Sequence, residues 1–168
     1  MMHQAQDHLW WGDIWSVEEA AVRVDAILNV GRETKDYALP GIEYAIKYFP
    51  DVDPYPCQRI LEGALWIDEK INRSKKVFVH CIQGNSRSAA TVVAYLHYSG
   101  MAFEDACQLI VRAKPYYAHE GKYVDSPLTI RPWFIRDWPQ FTRQLGAVWP
   151  THDSVSYTHL TLPTNREV

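Results

Sequence analysis

No stretch of the sequence is long and apolar enough to predict a membrane-spanning helix, which needs about 20 consecutive apolar residues. An excess of charge of one sign is also lacking, since 17 Lys and Arg residues stand against 20 Asp and Glu residues and the net charge is -3. Because such a chain carries no strong positive field, we expect it to bind neither nucleic acid nor an anionic membrane surface.

Cysteine is scarce in this sequence. The three cysteines, Cys57, Cys81 and Cys107, are odd in number and lie far apart, which argues against a disulfide framework. The first residues, Met1-Met2-His3-Gln4, lack the basic and then apolar order of a signal peptide. We therefore expect a soluble protein of the reducing cytoplasm.

The composition predicts one folded domain. The chain has 168 residues, of which 47% are hydrophobic, and that is enough for a sizeable core and far from a disordered composition. We place the domain at residues 9–148. From Trp149 onward Thr, Ser and Pro dominate and no periodicity remains, so we expect residues 149–168 to be a disordered or non-native tail.

The most informative stretch is His80-Cys81-Ile82-Gln83-Gly84-Asn85-Ser86-Arg87-Ser88. It follows an apolar run and opens an Ala/Val-rich segment, which predicts a tight loop between a strand and a helix. The backbone N–H groups of such a loop form a concave site for oxyanions, and the helix points its positive end at the same place. Both effects stabilise a thiolate at Cys81, while Arg87 offers a planar fork for two phosphate oxygens.

Strands and helices alternate along the chain, which favours an α/β sandwich. The apolar patterns and turn residues predict strands at Leu9–Trp11, Asp25–Val30, Tyr44–Phe49 and Lys76–His80, and helices from a capping box at Ser16, at Gln58–Asn72, Ser86–Tyr98, Phe103–Ala113 and Pro132–Leu145.

The pattern H-C-x2-G-x2-R-S resembles the signature loop of the cysteine-dependent protein phosphatases, and the likeness is closest to the compact, atypical dual-specificity branch. Softer similarities extend from Leu9 to Leu145, among them Ile27-Leu28-Asn29-Val30 and Arg112-Ala113-Lys114-Pro115. The resemblance implies a three-layer α/β sandwich. Its central sheet would be mostly parallel and twisted, with four to five strands, flanked by helices, and the phosphate loop would join a strand to a helix.

The same resemblance implies a role for each residue of the motif. Cys81 would be the nucleophile and would pass through a phosphocysteine intermediate. Arg87 and the loop backbone from Ile82 to Arg87 would bind the phosphate, Ser88 would assist departure of the thiolate, and His80 would orient the loop. The phosphate-binding set is Ile82, Gln83, Gly84, Asn85, Ser86 and Arg87.

Hydrolysis of a phosphate ester also needs a carboxylic acid that protonates the leaving oxygen. Two candidates follow Pro50. Asp53 has the Pro-x-x-Asp spacing usual in the dual-specificity family, and Asp51 has the Trp-Pro-Asp style spacing of the tyrosine-specific relatives. The spacing favours Asp53, and Asp51 stays open as the alternative.

Several features bear on the substrate and on cofactors. The variable loop positions Ile82, Gln83 and Asn85 carry no lysine, unlike relatives that act on inositol phosphates. We therefore expect a phosphorylated protein as the partner, with phosphotyrosine, phosphoserine or phosphothreonine as the substrate, and a monomer or weak oligomer. The seven histidines show no metal-site spacing, and arginine and amides replace cations in this chemistry, so we expect no metal and no cofactor.

Two alternatives remain at this point. A rhodanese-like or Cdc25-like enzyme uses a similar cysteine loop, but it would need neither an Asp51/Asp53 loop nor the Ser88 hydroxyl. A non-catalytic pseudophosphatase or scaffold would bind phosphate without turning it over. The presence of both Cys81 and Arg87 argues against that second alternative.

Overall fold

A five-stranded sheet forms the centre of the molecule. The computed structural model describes residues 1–35, 39–83, 86–113, 115–117, 123–125 and 130–146. The strands of the sheet are β1 (Met2–Gln6), β2 (Leu9–Gly12), β3 (Ala26–Asn29), β4 (Glu43–Ile46) and β5 (Val77–His80). They lie in the order β1-β2-β5-β3-β4, in which β2, β5, β3 and β4 are mutually parallel and β1 pairs antiparallel with β2.

Helices cover both faces of this sheet. They are α1 (Val17–Ala21), which follows a 3-10 turn at Ile14–Ser16, then α2 (Cys57–Asn72), α3 (Arg87–Tyr98), α4 (Phe103–Ala113) and α5 (Pro132–Leu145). A separate antiparallel pair consists of β6 (Pro115–Tyr117) and β7 (Tyr123–Asp125). None of the helices in the described part of the chain is long and apolar enough to cross a membrane.

The three inner strands β2, β3 and β5 are buried on both faces, and their residues are apolar apart from Asn29 and His80 at the carboxyl ends of β3 and β5. Successive side chains alternate between two cores. On one face, Leu9, Trp11, Leu28, Val77 and Val79 pack against residues of α2, α3, α4 and α5. On the other face, Trp10, Ile27 and Phe78 pack against Ile14, Val17 and Ala20 of the 3-10 turn and α1. The predicted three-layer α/β fold is therefore confirmed.

Most predicted elements are present within a few residues of their predicted ends, and α4 and α5 match in full. The strands β1, β6 and β7 were not predicted. The capping box at Ser16 does not form, because the Ser16 hydroxyl donates to Asp13 Oδ1 at 2.8 Å and makes no bond to the first turn of α1. The predicted tail at 149–168 lies outside the described residues.

The topology brings the ends of four chain segments together. The carboxyl ends of parallel strands lie at one edge of a sheet, and β5 occupies its middle position. Backbone bonds join the residues that follow the strands: Ile14 donates to the carbonyl of Ile82 at 2.8 Å, and Val30 donates to that of His80 at 2.9 Å. The loop after β5 is thus surrounded by the segments that follow β2, β3 and β4.

We predict that Phe78→Ala lowers the free energy of unfolding by about 3–5 kcal/mol, because the side chain is fully buried in the smaller core and its removal leaves a cavity. Thermal and urea unfolding measure this change. Val22→Ala is the control, since Val22 is exposed and its truncation should change stability by less than about 0.5 kcal/mol. Equal effects of the two substitutions would contradict the described packing.

Candidate active site

A cavity of about 360 Å³ opens at the carboxyl end of β5. It is lined by Asp51, Cys81, Ile82, Gln83, Ser86, Arg87 and Arg131. Five of these residues belong to the predicted phosphate loop or its nucleophile, and Asp51 is one of the two predicted acids. The predicted loop residues Gly84 and Asn85 lie outside the described residues.

Cys81 is buried at the inner end of this cavity. Its Sγ lies 3.3 Å from the hydroxyl oxygen of Ser88, which is also buried. His80 Nδ1 lies 2.9 Å from the carbonyl oxygen of Cys81. Because a carbonyl only accepts, Nδ1 carries the proton in this contact. Ser88 therefore contacts the side chain of Cys81, and His80 contacts its backbone carbonyl.

Two backbone carbonyls anchor the Arg87 guanidinium. Its Nη1 donates to the carbonyls of Gly31 at 3.2 Å and Phe49 at 3.1 Å. Its Nε is buried and has no hydrogen-bond partner within the described ranges. A buried donor without a partner is costly, and an oxyanion in the cavity beside it would satisfy it.

The amino end of α3 adds a second anion-binding feature. Ser86 precedes the helix but does not cap it, because its hydroxyl donates to Asp51 Oδ2 at 2.9 Å. The first N–H groups of a helix have no intrahelical acceptor and carry partial positive charge. In α3 they begin at Arg87, a residue that lines the cavity.

Asp51 is surrounded by donors. Tyr55 OH and Arg131 Nε donate to Oδ1 at 2.5 and 3.2 Å, while Ser86 Oγ and Arg131 Nη2 donate to Oδ2 at 2.9 and 2.7 Å. Partial burial raises the pKa of the Asp51 carboxyl, but the hydrogen bonds from Arg131, Tyr55 and Ser86 and the charge of Arg131 outweigh burial and hold that pKa below its usual value. The carboxylate is the stable form in this arrangement.

Asp53 lies elsewhere. Its side chain is about half exposed, it pairs with Arg136 through contacts of 2.6 and 3.3 Å, and it is not among the residues that line the cavity. The sequence preference for Asp53 over Asp51 therefore has no support in the geometry. The structure brings Asp51, and not Asp53, beside Cys81 and Arg87.

The sequence reasoning missed four contributors to the site. Tyr55 and Arg131 hold the Asp51 carboxylate, and the carbonyls of Gly31 and Phe49 hold Arg87. Arg131 lies 80 residues from Asp51 in the sequence, and no local spacing links the two. The turn at Gly31 is itself held by Asn29, whose Oδ1 accepts from the N–H groups of Gly31 at 2.9 Å and Arg32 at 3.0 Å.

The other two cysteines have a different environment. Burial and then Asp137 raise the pKa of the Cys57 thiol to about 11, and burial and then Glu104 raise the pKa of the Cys107 thiol to about 12. Both stay protonated at neutral pH. Among the described residues, no group of three His, Cys, Asp or Glu side chains could hold a metal ion.

A family model for the dual specificity phosphatase catalytic domain matches residues 13–126, more than half of the chain. The chain belongs to this family. The match confirms the predicted family and sets aside the rhodanese-like and Cdc25-like alternative.

Two curated relatives agree with the family assignment. Human dual specificity protein phosphatase 7 is 28% identical over 152 residues, which cover 84% of this chain and 33% of the relative. The protein-tyrosine-phosphatase MKP1 of Arabidopsis thaliana is 40% identical over 115 residues, which cover 64% of this chain and 15% of the relative. The chain therefore spans a third or less of the length of these two curated relatives.

Two crystal structures share the fold. That of human DUSP28 has a TM-score of 0.69 at 23% identity and covers 87% of this chain and 95% of that one. That of Tk-PTP in the active form has a TM-score of 0.63 at 22% identity and covers 83% and 96%.

We predict that Gly31→Ala weakens inorganic vanadate binding at least about tenfold, the loss expected when one charge-assisted contact is broken. A Cβ at Gly31 would lie 2.6 Å from the Cα and carbonyl carbon of Cys81, so the loop or the Arg87 anchor must move. Inhibition by vanadate measures the effect.

Gly41→Ala is the matched control. Gly41 has φ +80°, but a Cβ there would meet nothing within 4 Å. This substitution should cost stability through backbone strain and leave vanadate binding unchanged. Unchanged vanadate binding in Gly31→Ala would show that the close contact between Gly31 and Cys81 does not shape the anion site.

Proposed function

We propose that this domain is a protein phosphatase that hydrolyses phosphotyrosine, phosphoserine or phosphothreonine through a phosphocysteine intermediate. One observation carries the proposal: Cys81, Arg87 and Ser86, the residue before α3, line a single cavity. A nucleophile and an anion cradle at the same point are what phosphoryl transfer requires.

In the first step the Cys81 thiolate attacks phosphorus in line with the leaving oxygen. The sulfur–phosphorus bond forms and the bond from phosphorus to the substrate oxygen breaks. Arg87 and the loop amides hold the charge on the three equatorial oxygens. Asp51, protonated at this stage, gives its proton to the departing oxygen, so the dephosphorylated side chain leaves with a neutral hydroxyl group.

In the second step a water molecule attacks the phosphocysteine. Asp51, now a carboxylate, takes a proton from that water, and the sulfur leaves as a thiolate. Ser88 assists this departure because its hydroxyl lies 3.3 Å from the sulfur and can donate to the negative charge that develops there. His80 positions the loop through its contact with the Cys81 carbonyl.

The substrate class follows from what surrounds the phosphate site. Ile82 is partly exposed and Gln83 is exposed, and both are uncharged. The charged side chains among the described lining residues are those of Asp51, Arg87 and Arg131. These described residues provide none of the lysines that extra phosphates of an inositol lipid would need. A single phosphorylated side chain of a protein is the better fit, and the cytoplasmic location and the monomeric or weakly oligomeric state stay predictions.

A second candidate function is a phosphate-binding scaffold without turnover. One observation favours it: Asp51 accepts four hydrogen bonds as a carboxylate and therefore has no proton to give in this state. The two functions differ in whether the phosphate is released from a bound phosphopeptide.

We predict that Cys81→Ser lowers kcat on a phosphotyrosine peptide by about 10⁴-fold or more, because the alcohol is a poor nucleophile without an adjacent base. Peptide binding should persist, since Arg87 and α3 remain. Cys107→Ser, in α4, is the control and should keep full turnover. Hydrolysis by Cys81→Ser near the wild-type rate would rule out the nucleophile. Absence of turnover in the wild-type protein, with the peptide still bound, would favour the scaffold.

We predict that Asp51→Asn lowers kcat on phenyl phosphate about 10²–10⁴-fold, the usual contribution of a general acid. The loss should be smaller on p-nitrophenyl phosphate, whose leaving group needs little protonation. The alkaline limb of the pH–rate profile, where activity falls as the acid loses its proton, should disappear. Asp53→Asn should keep both the rate and that limb, and the opposite result would return the acid role to Asp53.

A further inference from the structure

Arg131 lies immediately before α5 and faces both the acid and the cavity. Its guanidinium binds Asp51 as a fork, through Nε at 3.2 Å and Nη2 at 2.7 Å, and it lies over the ring of Trp133 at 5.5 Å. It also lines the cavity beside Cys81 and Arg87. A phosphate in this cavity would therefore meet two guanidinium groups. Among the described residues, two backbone carbonyls hold that of Arg87, and the Asp51 carboxylate holds that of Arg131.

The contacts of Asp51 conflict with its proposed role as an acid. Each carboxylate oxygen accepts from one nitrogen of Arg131 and from one hydroxyl, that of Tyr55 or Ser86. A proton on either oxygen would point at a donor, so one of the four bonds would break. These contacts thus hold Asp51 in the form that cannot donate a proton, so they must change before Asp51 can act as an acid.

A phosphate dianion can supply that change. A planar guanidinium fork fits a phosphate as well as a carboxylate, so the substrate competes with Asp51 for Arg131. A second negative group close to a carboxylate also raises the pKa of the carboxylate. Both effects favour uptake of a proton from water by Asp51 as the dianion enters.

The groups that face Asp51 are few among the described residues. They are Arg131 before α5, Tyr55 and Ser86 through hydrogen bonds, and Arg87 and Cys81 as fellow lining residues of the cavity. Burial first, and then Asp51, raise the pKa of the Tyr55 hydroxyl, so Tyr55 stays neutral and keeps donating. Arg131 is the one partner of Asp51 in this set whose charge a phosphate would attract.

We propose that Arg131 is a positioning residue that holds the Asp51 carboxylate at the cavity before substrate binds and passes its guanidinium to the substrate phosphate, which lets Asp51 take up the proton it later donates. This inference rests on the proposed function, since it explains how Asp51 becomes an acid. It also removes the observation that favours the scaffold, because Asp51 is then a carboxylate only until a phosphate binds Arg131.

Proton uptake on anion binding tests the proposal without turnover. The probe is sulfate, a dianion that does not titrate near neutral pH, and the protein is the full chain with Cys81→Ser, so the sulfur contributes no proton. Calorimetry at pH 5–7 in buffers of different ionisation enthalpy measures how many protons accompany sulfate. We expect uptake approaching one proton as the pH falls, and no uptake when Asp51→Asn is added.

Variants of Arg131 give the second readout. In the Cys81→Ser background, Arg131→Met should weaken sulfate binding about tenfold or more through the loss of a charge-assisted contact. Its proton uptake should be smaller, because without Arg131 the pKa of Asp51 is already higher before sulfate binds, so sulfate raises it by less. Arg131→Lys keeps the charge without the fork and should fall between, and it serves as the test if thermal unfolding shows that Arg131→Met does not fold.

Arg136→Met is the matched control. Arg136, within α5, also contacts an aspartate, Asp53, through two guanidinium nitrogens, but both partners are exposed and neither lines the cavity. This variant should change neither sulfate affinity nor proton uptake. Sulfate binding without proton uptake through Asp51, or with an affinity that Arg131→Met leaves unchanged, would overturn the proposal. If either sulfate result is obtained while Cys81→Ser still abolishes turnover, the inference about Arg131 is wrong and the proposed phosphatase function is still supported.

Discussion

The arrangement of the site depends on the two backbone carbonyls that anchor Arg87. Gly31 lies after β3 and Phe49 lies in the segment after β4, so one guanidinium nitrogen ties both segments to the start of α3. An arginine held in this way loses little further entropy when it binds an anion. The same hydrogen bonds join the segment that contains Phe49 and Asp51 to the start of α3. The proposed acid and the proposed phosphate contact therefore depend on one pair of hydrogen bonds.

Local patterns in the sequence predicted the parts of the molecule that depend on local physics. Strands buried on both faces read as unbroken apolar runs, and amphipathic helices such as α2 show their period, so these elements were located within a few residues. The short strands β1, β6 and β7 were missed. The structure shows the reason for β1: Met2–Gln6 is a partly exposed edge strand, and its pairing with β2 stabilises it. Its mostly polar composition gives no apolar pattern from which a strand could be predicted. The Ser16 cap failed for a related reason, since Asp13 was a nearer acceptor for the hydroxyl.

The choice between the two acids lay beyond the sequence for a different reason. Asp51 and Asp53 differ by two positions, and both follow the same proline, so spacing alone weighs them nearly equally. Tertiary contacts separate them: Arg131 and Tyr55 draw Asp51 to the cavity, whereas Arg136 draws Asp53 outward. The two arginines lie 80 and 83 residues away from their aspartate partners, so no short sequence motif could predict these pairs. Aromatic packing of Tyr55 on Phe49 and Trp133, at centroid distances of 5.0 and 5.7 Å, keeps this segment against α5.

Two arginine–aspartate pairs, Arg131–Asp51 and Arg136–Asp53, have the same charged groups but differ in burial. This difference decides which pair can take part in the proposed reaction. The Arg136–Asp53 pair is exposed, so water screens it, and it contributes little to stability or to the site. The Arg131–Asp51 pair is partly buried at the cavity wall, where charge interactions are stronger and where an incoming dianion is a direct competitor. An ion pair at that place cannot be inert when a doubly charged phosphate enters. Its partners must exchange, and the group that loses its cation in a low-dielectric pocket is the one that gains a proton. In the proposed mechanism, the negative charge of the substrate phosphate draws Arg131 away from Asp51, and Asp51 then takes up the proton that it donates as an acid.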